Sequence, residues 1–124
     1  MDTVATLNAP QAIGPYSQAT VLGNLVFASG QIPAVPETGE LVTGTITDQT
    51  RQVIANLEAI LSVAGSDLAH VLKSTCFLTN MGDFAEFNAE YALHFTGLPA
   101  RECVEVTALP KGAHVEISVI AERP

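Results

Sequence analysis

Two hydrophobic periods share this chain, and the order in which they alternate limits what it can fold into. From about Asp48 to Ala64 the apolar residues Val53, Ile54, Leu57, Ile60, Leu61 and Ala64 recur at helical spacing, with Gly65 placed to end the run. Toward the C-terminus the period drops to two. Arg101, Cys103, Glu105 and Thr107 face one way there, and Val104 and Val106 the other. Beyond a turn at Pro110-Lys111-Gly112, Val115, Ile117 and Val119 alternate with His114, Glu116 and Ser118, so these two strands are expected to form a hairpin.

The remaining segments fit between these. Thr20 to Leu22 and Leu25 to Ala28 flank Gly23-Asn24, a two-residue connection that favours a tight hairpin. From Ser29 to Gly39, Gly and Pro punctuate the chain, and a loop is expected. Val71 to Leu78 is rich in strand formers. A second helix is expected from Asp83, whose side chain is placed to cap the first turn in a pair with Glu86, up to Gly97. Its stripe of Phe84, Phe87, Tyr91 and Phe95 suits core packing better than a cofactor box. The order is strands, helix, strand, helix, strand hairpin, which predicts an α+β fold as one domain over residues 1–124 with both helices on one sheet face.

Composition bears on what covers the other face. Of the 124 residues 48% are hydrophobic and 15% charged, against roughly 25% charged in an average domain. A lone domain of this size struggles to hide so much apolar surface, so copies of the same chain are expected to cover part of it. Thirteen acids against five Lys and Arg give a net charge of −8. Nucleic-acid and anionic membrane partners are therefore disfavoured, since both reward clustered bases. A small carboxylate remains a fitting substrate, because one local Arg outweighs a diffuse acidic field at short range.

No run of about eighteen apolar residues occurs, and Met1 to Thr6 shows no basic stretch followed by an apolar one, so neither membrane anchoring nor targeting is expected. Cys76 and Cys103 are too few and too isolated for a disulfide framework and are expected to be free thiols in a reducing cytoplasm. His70, His94 and His114 lack metal-ligand spacing, so no metal is expected.

Three residues stand out chemically. Arg101 is a scarce base between Pro99 and a strand, and its planar fork suits a carboxylate; a salt bridge to Glu102 or another acid fits the same residue. Cys103, on the same strand face, suits a pocket wall or a small buried hydrophobe, because nothing nearby activates a thiol. Glu116 lies among Val115, Ile117, Val119 and Ile120, where a carboxylate needs partners unless its side of the strand is solvated. If the final strands form a hairpin, Glu116 lies on the order of 15 Å along the sheet from Arg101, and both serve one small substrate only if their side chains reach far or if a neighbouring subunit completes the site.

The segments Ala12-Ile13-Gly14-Pro15-Tyr16-Ser17-Gln18, Ala28-Ser29-Gly30-Gln31-Ile32-Pro33 and Pro99-Ala100-Arg101-Glu102-Cys103-Val104-Glu105-Val106, with Leu109-Pro110-Lys111 and Val115-Glu116-Ile117, closely resemble the reactive intermediate deaminase A (RidA) family, also called YjgF. The resemblance spans nearly the whole chain. It implies a chorismate-mutase-like mixed sheet, a homotrimer with clefts between subunits, and hydrolysis of enamine and imine acids such as 2-aminoacrylate, 2-aminocrotonate, 2-iminopropanoate and 2-iminobutanoate to 2-keto acids and ammonia, without metal or cofactor.

Carried over by position, Arg101 would clasp the carboxylate with help from the Gly30 and Cys103 main-chain N–H groups. Glu116 would orient water, and Tyr16, Ser29 and Asn88 would line the cleft. Alternative readings within the same family are a trimer that binds keto acids or acts as a chaperone without turnover, and a ribonuclease, which the charge disfavours. Two departures accompany the match: Phe95 to Pro99 is shorter than usual for the family, and Ser17 and Glu102 replace commoner neighbours of the motifs.

Overall fold

A computed structural model describes residues 1–124. Eight elements follow in order: β1 (Asp2–Val4), β2 (Ala19–Leu22), β3 (Leu25–Gln31), α1 (Ile46–Val63), β4 (Val71–Leu78), α2 (Phe84–His94), β5 (Ala100–Glu105) and β6 (Val115–Glu122). They build one six-stranded mixed sheet, ordered β1-β2-β3-β6-β4-β5, with both helices against one face.

α1 begins at Ile46, two residues before the expected start, because Thr45 and Asp48 close a capping box there. Such a cap is worth about 1 kcal/mol. Its buried face, Val53, Ile54, Leu57, Ile60 and Leu61, lies on the sheet, and burying each of these side chains contributes about 1.5–3 kcal/mol. Along β6, Val115, Ile117, Val119 and Ala121 meet that face, while Glu116, Ser118 and Ile120 point to the other. No element of the chain covers this second face, which also carries Phe27, Thr75 and Phe77.

Three expectations are corrected. β5 and β6 form no hairpin: β5 runs parallel to β4 at the sheet edge, and β6 inserts between β3 and β4, antiparallel to both. The reason lies in the sequences of the two strands. β6 alternates apolar residues cleanly enough for a central position, whereas β5 offers Arg101, Glu102 and Glu105 and tolerates an edge. The helix between β4 and β5 also supplies the crossover that a parallel pair requires.

Ser29, Gly30 and Gln31 are not loop. β3 continues through them, with a bulge between Ala28 and Gln31. Asp83 makes no side-chain cap on α2. Glu86 reaches away to accept from the N–H and hydroxyl of Thr47 at 2.8 and 2.9 Å, tying the two helices together. Asp2 to Val4, to which the sequence assigned no element, adds an outer strand to β2.

A second tie joins the two helices. Glu90, 5% exposed, receives hydrogen bonds from His94 at 2.6 Å and from Arg51 at 3.1 Å. The His94 bond first, then Arg51, hold its carboxyl below the ordinary carboxylate range against the opposing effect of burial. Its stabilisation is complete above the unfolded pKa of about 4.3 and fades as pH falls through the lower folded value. Glu90→Gln is expected to lower the melting temperature at neutral pH and to flatten its decline on acidification. Parallel declines in the two proteins, followed by calorimetry from about pH 6 to 3, would contradict this linkage.

Candidate active site

The β4–β5 register sets Arg101 beside Ser74 and Cys103 beside Cys76, so Arg101, Cys103 and Glu105 lie on the helix side of the edge strand. There the Arg101 guanidinium rests 4.7 Å from the ring centroid of Tyr91 and 5.5 Å from that of Phe84, two faces that attract a cation. One of its nitrogens donates to Asn88 Oδ1 at 2.7 Å. Tyr91 is itself fixed by a 2.6 Å hydrogen bond to buried Ser74 and by stacking on Phe95 at 4.2 Å.

Arg101 makes no ion pair. Glu102, the acid that the sequence left open as its partner, points to the opposite face and pairs with Lys73 at 3.2 Å. The guanidinium is thus held in place by a neutral amide and two rings, with part of its donor fork turned toward solvent. Beside it is a depression of about 460 Å³ that includes Asn88, Phe95, Leu98 and Pro99.

The main chain adds a donor. Val106 N–H donates to Leu78 O at 2.8 Å. Successive N–H groups alternate sides along a strand, so that of Cys103 points off the sheet edge, unpaired. Its thiol is no ready nucleophile. Burial raises its pKa against the lowering effect of Arg101, and neighbouring Cys76 is pushed up to about 12 by burial. Both thiols are free.

Glu116 belongs to a different region. It pairs with Phe77 on β4, three residues from Ser74, and so occupies the sheet face away from the helices. From Arg101 it is two strands across and three residues along, on the order of 14 Å between Cα positions, with the sheet between the side chains. Within one chain the two do not meet.

Gly30 packs against Glu116 on this face. A Cβ on Gly30 would lie 2.5 Å from a Glu116 carboxyl oxygen, so the absence of a side chain makes room for the acid. Burial alone pushes the Glu116 carboxyl up from its ordinary value. Gly30 and Tyr16 share a cavity of about 580 Å³. Ser29 does not line it. Its hydroxyl donates to Ser17 O at 2.6 Å and pins the segment that carries Tyr16.

The candidate residues therefore divide into two half-sites. Arg101, Asn88 and Cys103 stand at the β5 edge; Tyr16, Ser29, Gly30 and Glu116 stand at or near the uncovered face. Three contributors were missed in the sequence. Buried Gln18 anchors the N-terminal segment through bonds to Thr6 and Pro10. Lys111 borders the Tyr16 cavity and donates to Gly39 O at 2.8 Å. Tyr91, assigned to the core, is also the platform for Arg101. The last was discoverable, since Tyr91 lies four residues from both Phe87 and Phe95 on the stripe facing Ser74. The histidines all have partners, His70 with Asp67, His94 with Glu90 and His114 with Thr79, and no three or more His, Cys, Asp or Glu side chains converge as a metal cage requires.

Comparison with known proteins places this geometry in context. A family model described as endoribonuclease L-PSP matches residues 6–123. The 2-iminobutanoate/2-iminopropanoate deaminase of Escherichia coli K12 is 47% identical over 125 residues, spanning 98% of this chain and 97% of that protein. Among solved structures, the YjgF gene product of E. coli superposes with a TM-score of 0.94 at 44% identity over the full length of both chains. E. coli TdcF with bound serine gives 0.95 at 41%, also over both full lengths.

The packing of Glu116 against Gly30 is testable without any assay of function. By carboxyl NMR, Glu116 is expected to titrate above the ordinary glutamate value of about 4.3. In Gly30→Ala, where the added methyl displaces the carboxyl toward water, it should move back toward that value. An ordinary Glu116 titration in the unaltered protein would contradict the burial described.

Proposed function

The chain belongs to the endoribonuclease L-PSP (YjgF/RidA) family, and on that premise we propose that it hydrolyses 2-imino acids and their enamine tautomers to 2-keto acids and ammonia. The observation that carries this reading is the un-neutralised Arg101 guanidinium, presented on an aromatic platform with Asn88 and an unpaired Cys103 N–H beside it. A planar fork held this way suits a carboxylate. The serine bound to TdcF, a small molecule with a carboxylate, supports the same ligand class. The endoribonuclease description is less well supported by this chain, whose five Lys and Arg stand against thirteen acids.

The reaction completes across two subunits. Because Arg101 and Glu116 of one chain lie on opposite sheet faces, we assign the working site to a boundary between copies in a closed ring, a homotrimer by family resemblance. One subunit contributes Arg101, Asn88 and the Cys103 N–H, and its neighbour contributes Glu116, Gly30 and Tyr16. Packing of the uncovered sheet faces, with Phe27, Phe77 and Ile120, also accounts for the high apolar content.

Chemistry follows from placement. Arg101 fixes the carboxylate, and Glu116 accepts a hydrogen bond from water and aims it at the electrophilic iminium carbon. Alignment of this kind supplies several kcal/mol toward the barrier. As the C–O bond forms, the water proton passes to Glu116 and the C=N π pair moves to nitrogen, giving a carbinolamine. Glu116 returns the proton to the amine, the C–N bond breaks, and as the carbonyl forms the hydroxyl proton passes by way of Glu116 to the departing ammonia. Iminium acid and water become keto acid and ammonium.

The same pocket would also serve a protein that binds keto acids without turnover, and kinetics separates the two. With an amino-acid dehydratase supplying the imine, keto-acid release is expected to exceed uncatalysed hydrolysis, to be abolished by Arg101→Ala and not to be restored by Arg101→Lys. Glu116 must be ionised to accept a proton, and burial raises its pKa, so activity should fall as pH drops through a value above the ordinary carboxylate range. Full activity in either Arg101 variant would overturn the assignment.

A further inference from the structure

The turn between α2 and β5 holds the chain in a conformation that its sequence resists. Leu98 has φ of 53°, one of only two non-glycine residues in the left-handed region. A leucine there crowds its own Cβ against the backbone. It also precedes Pro99, whose ring disfavours anything but extended geometry at the residue before it. The neighbours leave little freedom: Phe95 is buried, Leu98 N–H donates to Phe95 O at 3.3 Å, and a Cβ on Gly97 would lie 2.7 Å from Ala69 O.

Packing within the chain does not explain the choice of leucine, because the side chain is 87% exposed. Instead, Leu98 borders the same depression as the Arg101 guanidinium, together with Ala92, Phe95 and Pro99. A strained, exposed apolar residue beside an anion clamp points to a ligand with a carboxylate at one end and hydrocarbon at the other.

We propose that Leu98 is a specificity-determining residue, forming with Ala92, Phe95 and Pro99 an apolar wall that receives the side chain of aliphatic 2-imino acids larger than the alanine-derived one. This deepens the deaminase reading and rests on it. Arg101 anchors the carboxylate, and the alkyl chain lies along the turn. Burial of the three additional carbons of a leucine-derived acid, only part of them in contact, gives a preference of about tenfold.

The test uses Leu98→Gly, which relieves the backbone and removes the Leu98 side chain from the wall, and Leu98→Asn, which tolerates the left-handed conformation but is polar. Two ratios are measured, both for the leucine-derived against the alanine-derived compound: kcat/KM on imines made in situ by an amino-acid oxidase, and calorimetric affinity for 4-methyl-2-oxopentanoate against pyruvate. Both ratios are expected to fall by about threefold in both variants, since Ala92, Phe95 and Pro99 remain, and the melting temperature to rise in Leu98→Gly as strain is released. Unchanged ratios overturn the proposal, as does a change of oligomeric state with both compounds affected alike, which would make Leu98 a contact between copies. If the unaltered protein binds both keto acids but turns over no imine, the deaminase reading fails while the affinity ratio still decides the role of Leu98. Binding of neither acid, with no turnover of either imine, overturns both.

Discussion

Side chains alternate faces along a strand, and that alternation keeps Arg101 and Glu116 apart. β6 lies in the sheet interior and β5 at its edge, and the register through β4 turns the arginine toward the helices and the glutamate away from them. No rotamer carries one through the sheet to the other. Any chemistry that needs both must draw them from different copies, so the uncovered face and the exposed edge become parts of one requirement. A chain with few charges and much apolar surface is consistent with such an assembly.

The core and the half-site are continuous. Ser74 is buried in β4 and fixes the Tyr91 hydroxyl; Tyr91 stacks on Phe95 and supports the Arg101 guanidinium. α2 is in turn tied to α1 by Glu86 at one end and by Glu90 with Arg51 and His94 along its length. Positioning of the cation thus depends on helix packing. On the far face the device is an absence of atoms, since the close approach of Gly30 to Glu116 leaves no room for a methyl group unless the carboxyl moves.

Local periodicity made much of this legible. The helical face from Val53 to Ala64 and the period-two alternation of β6 were plain in the sequence, and the resemblance carried by the Arg101 and Glu116 segments pointed to the family. Strand order was not legible. The turn at Pro110 to Gly112 looks like a hairpin connection whether the next strand pairs with β5 or inserts elsewhere, and only tertiary competition for the central position decides. The same limit hid the cap exchange at Glu86: a pair three residues apart suits a local capping box, but Thr47, 39 residues earlier, offers both an N–H and a hydroxyl. Arg101 and Glu102 were both visible as charges. That one is free and the other paired with Lys73 depended on which face each occupies, which adjacency in sequence specifies only once the register with β4 is known.

Subunit mixing tests the shared site most directly. Arg101→Ala and Glu116→Gln proteins, each inactive by itself, are unfolded together in equal amounts and refolded so that copies assort at random. A boundary site is intact when the arginine side comes from one variant and the glutamate side from the other, so about one quarter of the sites, and hence about one quarter of the unaltered protein's rate of keto-acid release, should return. A mixture as inactive as its components, with assembly intact, would place both residues' work within a single chain and contradict the account.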